Sequence, residues 1–225
     1  MRKLCTIFLA IGLAQLVSAE KPHPNERHTA QDANYLSPLE KEVIAEINLF
    51  RSNPGQYAQL YIAPLAQYYD KKILHYPGDQ SIRTIEGVKA LHECVRVLQK
   101  AAAIPLLHPN EKLSNAARDH QLDQQNTGKT GHAGSDGSNL KQRIERYGKW
   151  KIRLGENIAY GNTSARQIVV FLLIDDGVKN RGHRTTLLNP DFKLVGVACG
   201  AHPVYKTMCV LDFAGGIEPE SSQNQ

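Results

Sequence analysis

The sequence predicts an α+β fold in which helices cover a β-sheet, and three observations support this prediction. Apolar residues recur at helical spacing in several segments of the first two thirds of the chain. A run of seven apolar residues, Ile168 to Ile174, follows them. Two segments near the C-terminus then place apolar residues at every second position, as strands do. Helices followed by a closing pair of antiparallel strands are typical of this class.

The first 19 residues are predicted to be a secretory signal peptide. Arg2 and Lys3 precede an apolar run from Leu4 to Val17, and Val17-Ser18-Ala19 supplies the small residues of a cleavage site. The run of about 14 residues is shorter than a membrane span requires, and a single membrane anchor is the alternative interpretation. We expect cleavage after Ala19, export to the periplasm or the medium, and no stable membrane anchor.

The rest of the chain is predicted to hold one domain. Residues 20–36 are polar and contain two prolines, so we expect a flexible leader there, then a single domain over 37–217 and a flexible tail over 218–225. The formal charge of +5 falls by two when Arg2 and Lys3 are removed. The remaining basic residues are scattered among acidic ones, which argues against nucleic acid as a partner.

The helices are predicted from caps and apolar stripes. Ser37 to Glu40 forms a capping box with proline at the first helical position, and a second helical start follows at Asn53-Pro54. Three further helices are predicted, one over Val88 to Leu98, one after Asn110 and a short one from Leu140 to Tyr147. The segment from Pro64 to Arg83 is not assigned.

The apolar run of residues 168–174 is compatible with a helix or a strand by periodicity alone. A cap at Thr163 or Ser164, together with the length of the segment up to Asp175 and Asp176, favours a helix that is buried on all sides. His120, on the face of the helix after Asn110, is interpreted as a hydrogen-bonded core histidine.

The exported chain keeps three cysteines, and two of them are predicted to pair. Cys199 is in phase with Val195 and Val197, and Cys209 with Leu211 and Phe213, so an antiparallel hairpin turning at residues 203–205 sets the two cysteines opposite each other. We expect a Cys199–Cys209 disulfide with Cys94 left as a buried thiol. Three unpaired core cysteines are the alternative.

Three short glycine-flanked motifs carry the candidate chemistry: Gly131-His132-Ala133-Gly134, Gly155-Glu156-Asn157 and Gly182-His183-Arg184. Glycine permits tight turns and close approach of another segment. Asp175 and Asp176 precede His183 closely. If these groups meet in one cleft, two imidazoles and two carboxylates suit a metal site or an acid–base pair. The residues alone leave open whether the motifs share a site.

The order of these motifs resembles the CAP superfamily, which includes cysteine-rich secretory proteins, antigen 5 and pathogenesis-related proteins. The similarity runs from about Leu39 to Gly215, is most specific in GENIAYG and GHRxxLLNPxFxxVGVA, and is greatest to the bacterial SCP-like branch. It implies a three-layer α-β-α sandwich with a central cleft. It also implies that the cleft is lined by His132, Glu156, His183 and a second acid.

The second acid of the family follows an aromatic residue by three positions, but here that position is Ile174. Asp175 is the nearest substitute and Asp176 the next. The resemblance implies a secreted binding protein whose cleft takes a divalent metal, zinc above all, through His132 and His183. It also implies a small hydrophobic ligand, such as a sterol or fatty acid, or another protein as partner.

Two other functions remain open at this point. One is a metal-assisted hydrolase, a peptidase or esterase, in which Glu156 is the general base and the histidines hold zinc and water. The other is a structural adhesion or stress module without a ligand. The oligomeric state is not predicted.

Overall fold

The computed structural model describes residues 27–218. The helices are α1 (Pro38–Ser52), α2 (Pro54–Tyr57), α3 (Val88–Leu98), α4 (Glu111–Thr127), α5 (Leu140–Glu145), α6 (Ala165–Ile174) and α7 (Gly182–Leu187), with a π-helix (Ala58–Ile62) and a 3-10 helix (Ala63–Tyr68) after α2. The strands are β1 (Tyr69–Asp70), β2 (Ile73–Leu74), β3 (Ile82–Arg83), β4 (His108–Pro109), β5 (Trp150–Tyr160), β6 (Leu194–His202) and β7 (Lys206–Ile217). The predicted signal peptide, its cleavage site and nearly all of the predicted tail lie outside the described residues.

The larger sheet has four strands in the order β4-β6-β7-β5. Its central pairs, β6 with β7 and β7 with β5, are antiparallel, whereas the short β4 runs parallel to β6. The strand β5 therefore forms one edge of this sheet. A second, small antiparallel sheet has the order β1-β2-β3 and occupies the segment that the sequence left unassigned.

Helices cover both faces of the larger sheet, so the fold is the expected three-layer α-β-α sandwich. The main core lies on the face covered by α1, α3 and α6, and the opposite face packs against α4 and α5. Side chains alternate between the two faces: Val195, Val197, Leu211 and Phe213 join the main core, and Ala198, Val210 and Ala214 join the α4–α5 side. This alternation follows from the period of two in a strand.

The β6–β7 hairpin is as predicted. Cys199 is paired with Cys209, and the turn lies between the paired residues His202 and Lys206. The cysteines form a disulfide, with Cα atoms 4.0 Å apart, and Cys94 is a free, buried thiol. Burial raises the pKa of the Cys94 thiol to about 11, which keeps this thiol protonated and unreactive at neutral pH.

The apolar run forms a helix, as expected, and Ser164 caps it by accepting a hydrogen bond from the backbone of Gln167. The strand β5 was not predicted. Its sequence lacks strict alternation, contains Gly155, and has an irregularity between Lys151 and Leu154. Pairing with β7 nevertheless holds it extended over 11 residues. Long-range pairing of this kind overrides weak local propensity.

The predicted flexible leader, residues 20–36, needs correction where it is described. Ala30, Ala33 and Leu36 are buried in the main core, and the Thr29 hydroxyl donates to the carbonyl of Leu107. The apolar side chains are too sparse to give a helical or strand period, which is why the sequence suggested no structure. From Thr29 onward this segment therefore packs on the domain.

Arg51 of α1 is a buried cation whose hydrogen bonds hold the segment after α7 against α1. Its guanidinium donates to the carbonyl oxygens of Pro105 at 2.7 Å, Leu187 at 2.9 Å, Phe192 at 3.1 Å and Asn189 at 3.2 Å. Burial lowers the pKa of Arg51 to about 10, so the side chain stays charged at neutral pH. These bonds position the end of α7, the helix that carries His183.

Candidate functional site

The first half of the site is a hydrogen-bonded pair of His132 and Glu156. Nδ1 of His132 lies 2.8 Å from Oε1 of Glu156. The histidine follows Gly131, whose φ of +101° is accessible to glycine but rarely to other residues. The His132 side chain is 58% exposed, whereas that of Glu156 is 2% exposed. A buried carboxylate therefore orients an imidazole that reaches solvent.

The Glu156 carboxylate is held from its other side by Arg143 of α5. Nη2 of Arg143 lies 2.6 Å from Oε2 of Glu156, and Nη1 donates to the carbonyls of His132 and Ser138. Burial alone raises the pKa of Glu156, but the hydrogen bond from His132 and the charge of Arg143 outweigh it, so the pKa is lowered. The hydrogen bond to Glu156 in turn raises the pKa of His132.

The second half of the site is the pair of His183 and Asp175. Nδ1 of His183 lies 2.6 Å from Oδ1 of Asp175, and the backbone N–H of His183 donates to Oδ2 at 2.9 Å. Asp175 ends α6 in the left-handed region, with a φ of 55°, which aspartate tolerates better than most residues. Its side chain is 2% exposed and that of His183 is 25% exposed. The arrangement repeats that of His132 and Glu156.

Asp176 points to a different partner. Its carboxylate accepts hydrogen bonds from the backbone N–H groups of Ile85, at 2.5 Å, and Glu86, at 2.8 Å. Glu86 forms a two-point pair with Arg181, which also donates to the carbonyl of Asp175. Asp176 and Arg181 thus hold the α6–α7 connection against the segment before α3 by hydrogen bonds. Of Asp175 and Asp176, only Asp175 contacts a site histidine in the described part of the chain.

The two histidine–carboxylate pairs approach β5 from opposite faces. Glu156 shares the α4–α5 face with its neighbours Leu154 and Ile158. The next residue, Asn157, is directed to the other face, where its Nδ2 donates to the carbonyl of His183 at 3.1 Å. Because β5 is an edge strand, both pairs lie beside the same open edge of the sheet. That the two imidazole rings come within reach of one metal ion stays a prediction.

Each histidine has a ring nitrogen available for a ligand. Both use Nδ1 for the carboxylate, and within residues 27–218 neither Nε2 has a hydrogen-bond partner. A carboxylate on one ring nitrogen, with the other left free, is the usual arrangement of a metal-binding histidine. No three histidine, cysteine, aspartate or glutamate side chains of the same residues are grouped closely enough to hold a metal by themselves.

A largely apolar pocket of about 420 Å³ adjoins the second pair. Strands β1 and β3 of the small sheet, β5 and α6 line it, and its walls include Tyr69, Ile82, Thr84, Ile158, Tyr160, Phe171, Leu172, Ile174, Asp175, Val178 and His183. The Tyr160 hydroxyl accepts a hydrogen bond from the backbone of Gly131, next to His132. A pocket of about 530 Å³ at the start of α6 contains none of the four predicted site residues.

Sequence reasoning named His132, Glu156, Asp175 and His183, and the structure joins them as two pairs. It missed Arg143 and also Asp212, a fully buried acid on β7. A lone acidic residue between Leu211 and Phe213 of an otherwise apolar strand was the available signal for Asp212. Arg143 carries no comparable signal, because arginines in short helices are ordinarily exposed. His120 is buried and bonded to the carbonyl of Gly131, as interpreted.

Comparison with known proteins adds three findings. Residues 44–213 match the family described as CAP: Cysteine-rich secretory protein family. An extracellular protein containing an SCP domain from Bacillus anthracis str. Ames is 25% identical over 49% of this chain and 34% of its own, with a TM-score of 0.41. An outer surface protein from Borrelia burgdorferi is 19% identical over 49% of this chain and 78% of its own, with a TM-score of 0.43.

This chain therefore spans about a third of the Bacillus protein's length. Among curated proteins none is significantly similar to it. Within residues 27–218, no helix has both the length and the apolar character needed to cross a membrane.

Proposed function

Because the chain belongs to the CAP, or cysteine-rich secretory protein, family, we propose that it is an exported binding protein whose site holds one divalent metal ion between His132 and His183. The observation that carries this proposal is the matched pairing of the two histidines. Each is fixed by a buried carboxylate on Nδ1 and keeps Nε2 free.

The carboxylates act in this proposal as supports rather than ligands. Glu156 and Asp175 fix the tautomer and the orientation of the two rings and raise the basicity of the nitrogens that face the metal. Holding both rings in place beforehand reduces the conformational entropy that is lost on binding. Water or a ligand from outside the chain completes the coordination.

Zinc is the metal that this donor set suits best. Neutral imidazole nitrogen is among its preferred ligands, and zinc accepts a tetrahedral arrangement in which other ligands fill the positions left by the protein. An ion with two protein ligands also has open positions for a bound molecule. The proposed metal is therefore a docking point for a ligand as well as an ion to be bound.

The apolar pocket beside His183 supplies the second part of the proposal. Its volume of about 420 Å³ and its aromatic and aliphatic walls suit a small hydrophobic molecule. A ligand with a polar head, such as a fatty acid, would place its tail in this pocket and its carboxylate near His183. A titration with a fluorescent fatty acid tests this, comparing wild type with Ile82→Glu, which introduces a charge into the pocket wall.

The matched control is Ile73→Glu on the neighbouring strand β2. Ile73 is 41% exposed and does not line the pocket. Weakened binding in Ile82→Glu alone is the expected result. Equal binding by wild type and both variants would place the hydrophobic ligand elsewhere.

The geometry favours binding over hydrolysis by Glu156. Both of its oxygens are engaged, by His132 and Arg143, and its side chain is 2% exposed. A general base needs an oxygen within hydrogen-bonding reach of the attacking water. A buried carboxylate with a donor on each oxygen is poorly placed for that role and well placed to orient His132.

Export is part of the proposal. It is supported by the predicted signal peptide and by the Cys199–Cys209 disulfide, since disulfides persist in oxidising compartments. N-terminal sequencing of the exported protein is expected to begin at Glu20. An exported protein that still carries Leu4 to Val17 would contradict the predicted cleavage.

Calorimetric titration of the exported protein with zinc tests the metal site. One ion per chain is the expected stoichiometry, and titration of the same protein after it has been loaded with one equivalent should give no further strong binding. Absence of any saturable zinc binding at neutral pH would refute the proposed function.

A further inference from the structure

Asp212 is a fully buried acid directly beside the Glu156 carboxylate. In the antiparallel pairing of β5 with β7, Asp212 lies opposite Glu156, so the two side chains are on the same face of the sheet. The other neighbour of β7 in the sheet is β6, which places Gly196 opposite Asp212. A Cβ at Gly196 would lie 2.1 Å from the backbone of Leu113 in α4, so this side is closed by the helix backbone.

The surroundings of Asp212 offer it no donor. Within the described part of the chain, neither oxygen of its carboxyl accepts a hydrogen bond from an N–H or O–H group of another residue. Arg143 of α5, the cation that acts on Asp212, donates instead to Glu156 and to the carbonyls of His132 and Ser138. From α4, His120 acts electrostatically on Glu156, and burial lowers the pKa of His120, which favours its neutral form.

Two carboxylates in buried contact cannot both remain charged without large cost. Glu156 has Arg143 and His132 as partners and keeps its charge, whereas Asp212 has neither. Burial, and then the charge of Glu156, raise the pKa of Asp212 well above its ordinary value. A protonated Asp212 carries an O–H group, and the Glu156 carboxylate, which lies opposite it on the same face of the sheet, can accept a hydrogen bond from that group.

We infer that Asp212 is a neutral carboxylic acid that donates a hydrogen bond to Glu156 and thereby positions Glu156 for His132. Glu156 then receives three donors, His132 on one oxygen, Arg143 on the other, and Asp212 from the strand behind. A carboxylate has about four lone-pair sites, so all three donors can be accepted together. Asp212 is a positioning residue, because it acts on His132 only through Glu156.

This inference adds to the proposed function without requiring it, since the tests use no metal. Asp212→Asn is the decisive variant, because asparagine is uncharged at every pH and its amide N–H can replace the carboxyl O–H. Asp212→Val removes the donor while keeping a strand-compatible side chain. Cooperative unfolding of each variant in denaturant establishes that it is folded.

The first test measures the unfolding equilibrium constant of wild type and Asp212→Asn from pH 5 to pH 7. In the unfolded chain an aspartate loses its proton near pH 3.9, whereas folded Asp212 keeps it. Folding therefore binds a proton in this range, and stability falls as pH rises. The ratio of the wild-type constant to the Asp212→Asn constant is expected to rise about tenfold per pH unit. A total rise below tenfold over the two units would overturn the inference.

The second test measures the ring tautomer of His132 at pH 8 by long-range ¹H–¹⁵N correlation, with the signal assigned by its loss in His132→Gln. Donation to Glu156 keeps the proton on Nδ1 in wild type, and Asp212→Asn is expected to preserve this. In Asp212→Val the proton is expected to move partly to Nε2. An unchanged tautomer in folded Asp212→Val would show that Asp212 does not position the pair. Should this variant not fold, the first test alone decides.

Discussion

Asp175 holds His183 at two points, because one carboxylate oxygen lies 2.6 Å from the ring Nδ1 and the other accepts the backbone N–H at 2.9 Å. The backbone contact fixes the start of α7, and the ring contact fixes the rotation of the imidazole. A carboxylate at the start of a helix also interacts favourably with the backbone N–H groups there. The position of Nε2 is thus set by one buried residue.

The two neighbouring acids are expected to differ in their effect on metal binding. Asp175→Asn keeps the shape and suits the left-handed backbone, with its φ of 55°, but removes the charge that orients His183. Zinc affinity measured by calorimetry is expected to fall about 10- to 100-fold. Asp176→Asn is the matched control, because its carboxylate caps Ile85 and Glu86 instead. Equal losses in the two variants would contradict this assignment.

Zinc binding is expected to weaken as the pH falls. The weakening should begin at a pH above the ordinary pKa of histidine. The hydrogen bond to Glu156 raises the pKa of His132 from 6.5. Zinc binds neutral imidazole, so protons compete with it as pH falls through that raised pKa. Below this point we expect affinity to fall about tenfold per pH unit, because His132 must lose a proton before it can bind zinc. Calorimetric titrations from pH 5.5 to 8 measure this, and constant affinity over the range would be inconsistent with imidazole ligands.

The disulfide is expected to stabilise the domain. It closes a loop of about 11 residues, which in the chain-entropy model contributes about 2–3 kcal/mol. The double variant Cys199→Ala/Cys209→Ala should lose about that much free energy of unfolding in denaturant titrations. Reductant should destabilise wild type and leave the double variant unchanged. Equal sensitivity of both proteins to reductant would mean that the bond does not form.

Arg51 is expected to be essential to the stability of the domain. Replacing it with methionine keeps much of the volume but leaves four backbone carbonyls without their donor. The free energy of unfolding should fall by at least about 3 kcal/mol. Arg96→Met on α3, where the side chain is exposed, is the control and should change little. A small loss in Arg51→Met would mean that water replaces the guanidinium at low cost.

Local patterns predicted α1 to α6 and the closing hairpin, because caps and periodicity act within a few residues, but they did not predict the short helix α7. The pairing of Cys199 with Cys209 followed from the phase of two strands and one turn. The strand β5 could not be predicted in this way. Its extended form depends on β7, some 50 residues later, and its own sequence has no clear alternation.

The candidate site likewise contains residues that local motifs identified and residues that only long-range contacts bring into it. Glycine-flanked motifs identified His132, Glu156 and His183, and proximity in sequence suggested Asp175. Arg143 and Asp212 join the site only through packing of α5 and pairing of β7 with β5. Neither contact is local, and a single sequence gives no direct record of such contacts.

The central claim is that His132 and His183 bind the same metal ion, and zinc stoichiometry in single variants tests it most directly. His132→Ala and His183→Ala should each abolish the one strong site seen in wild type by calorimetry. His92→Ala, which removes an exposed histidine of α3, should retain it with unchanged affinity. Retention of the strong site in either His132→Ala or His183→Ala would contradict the claim.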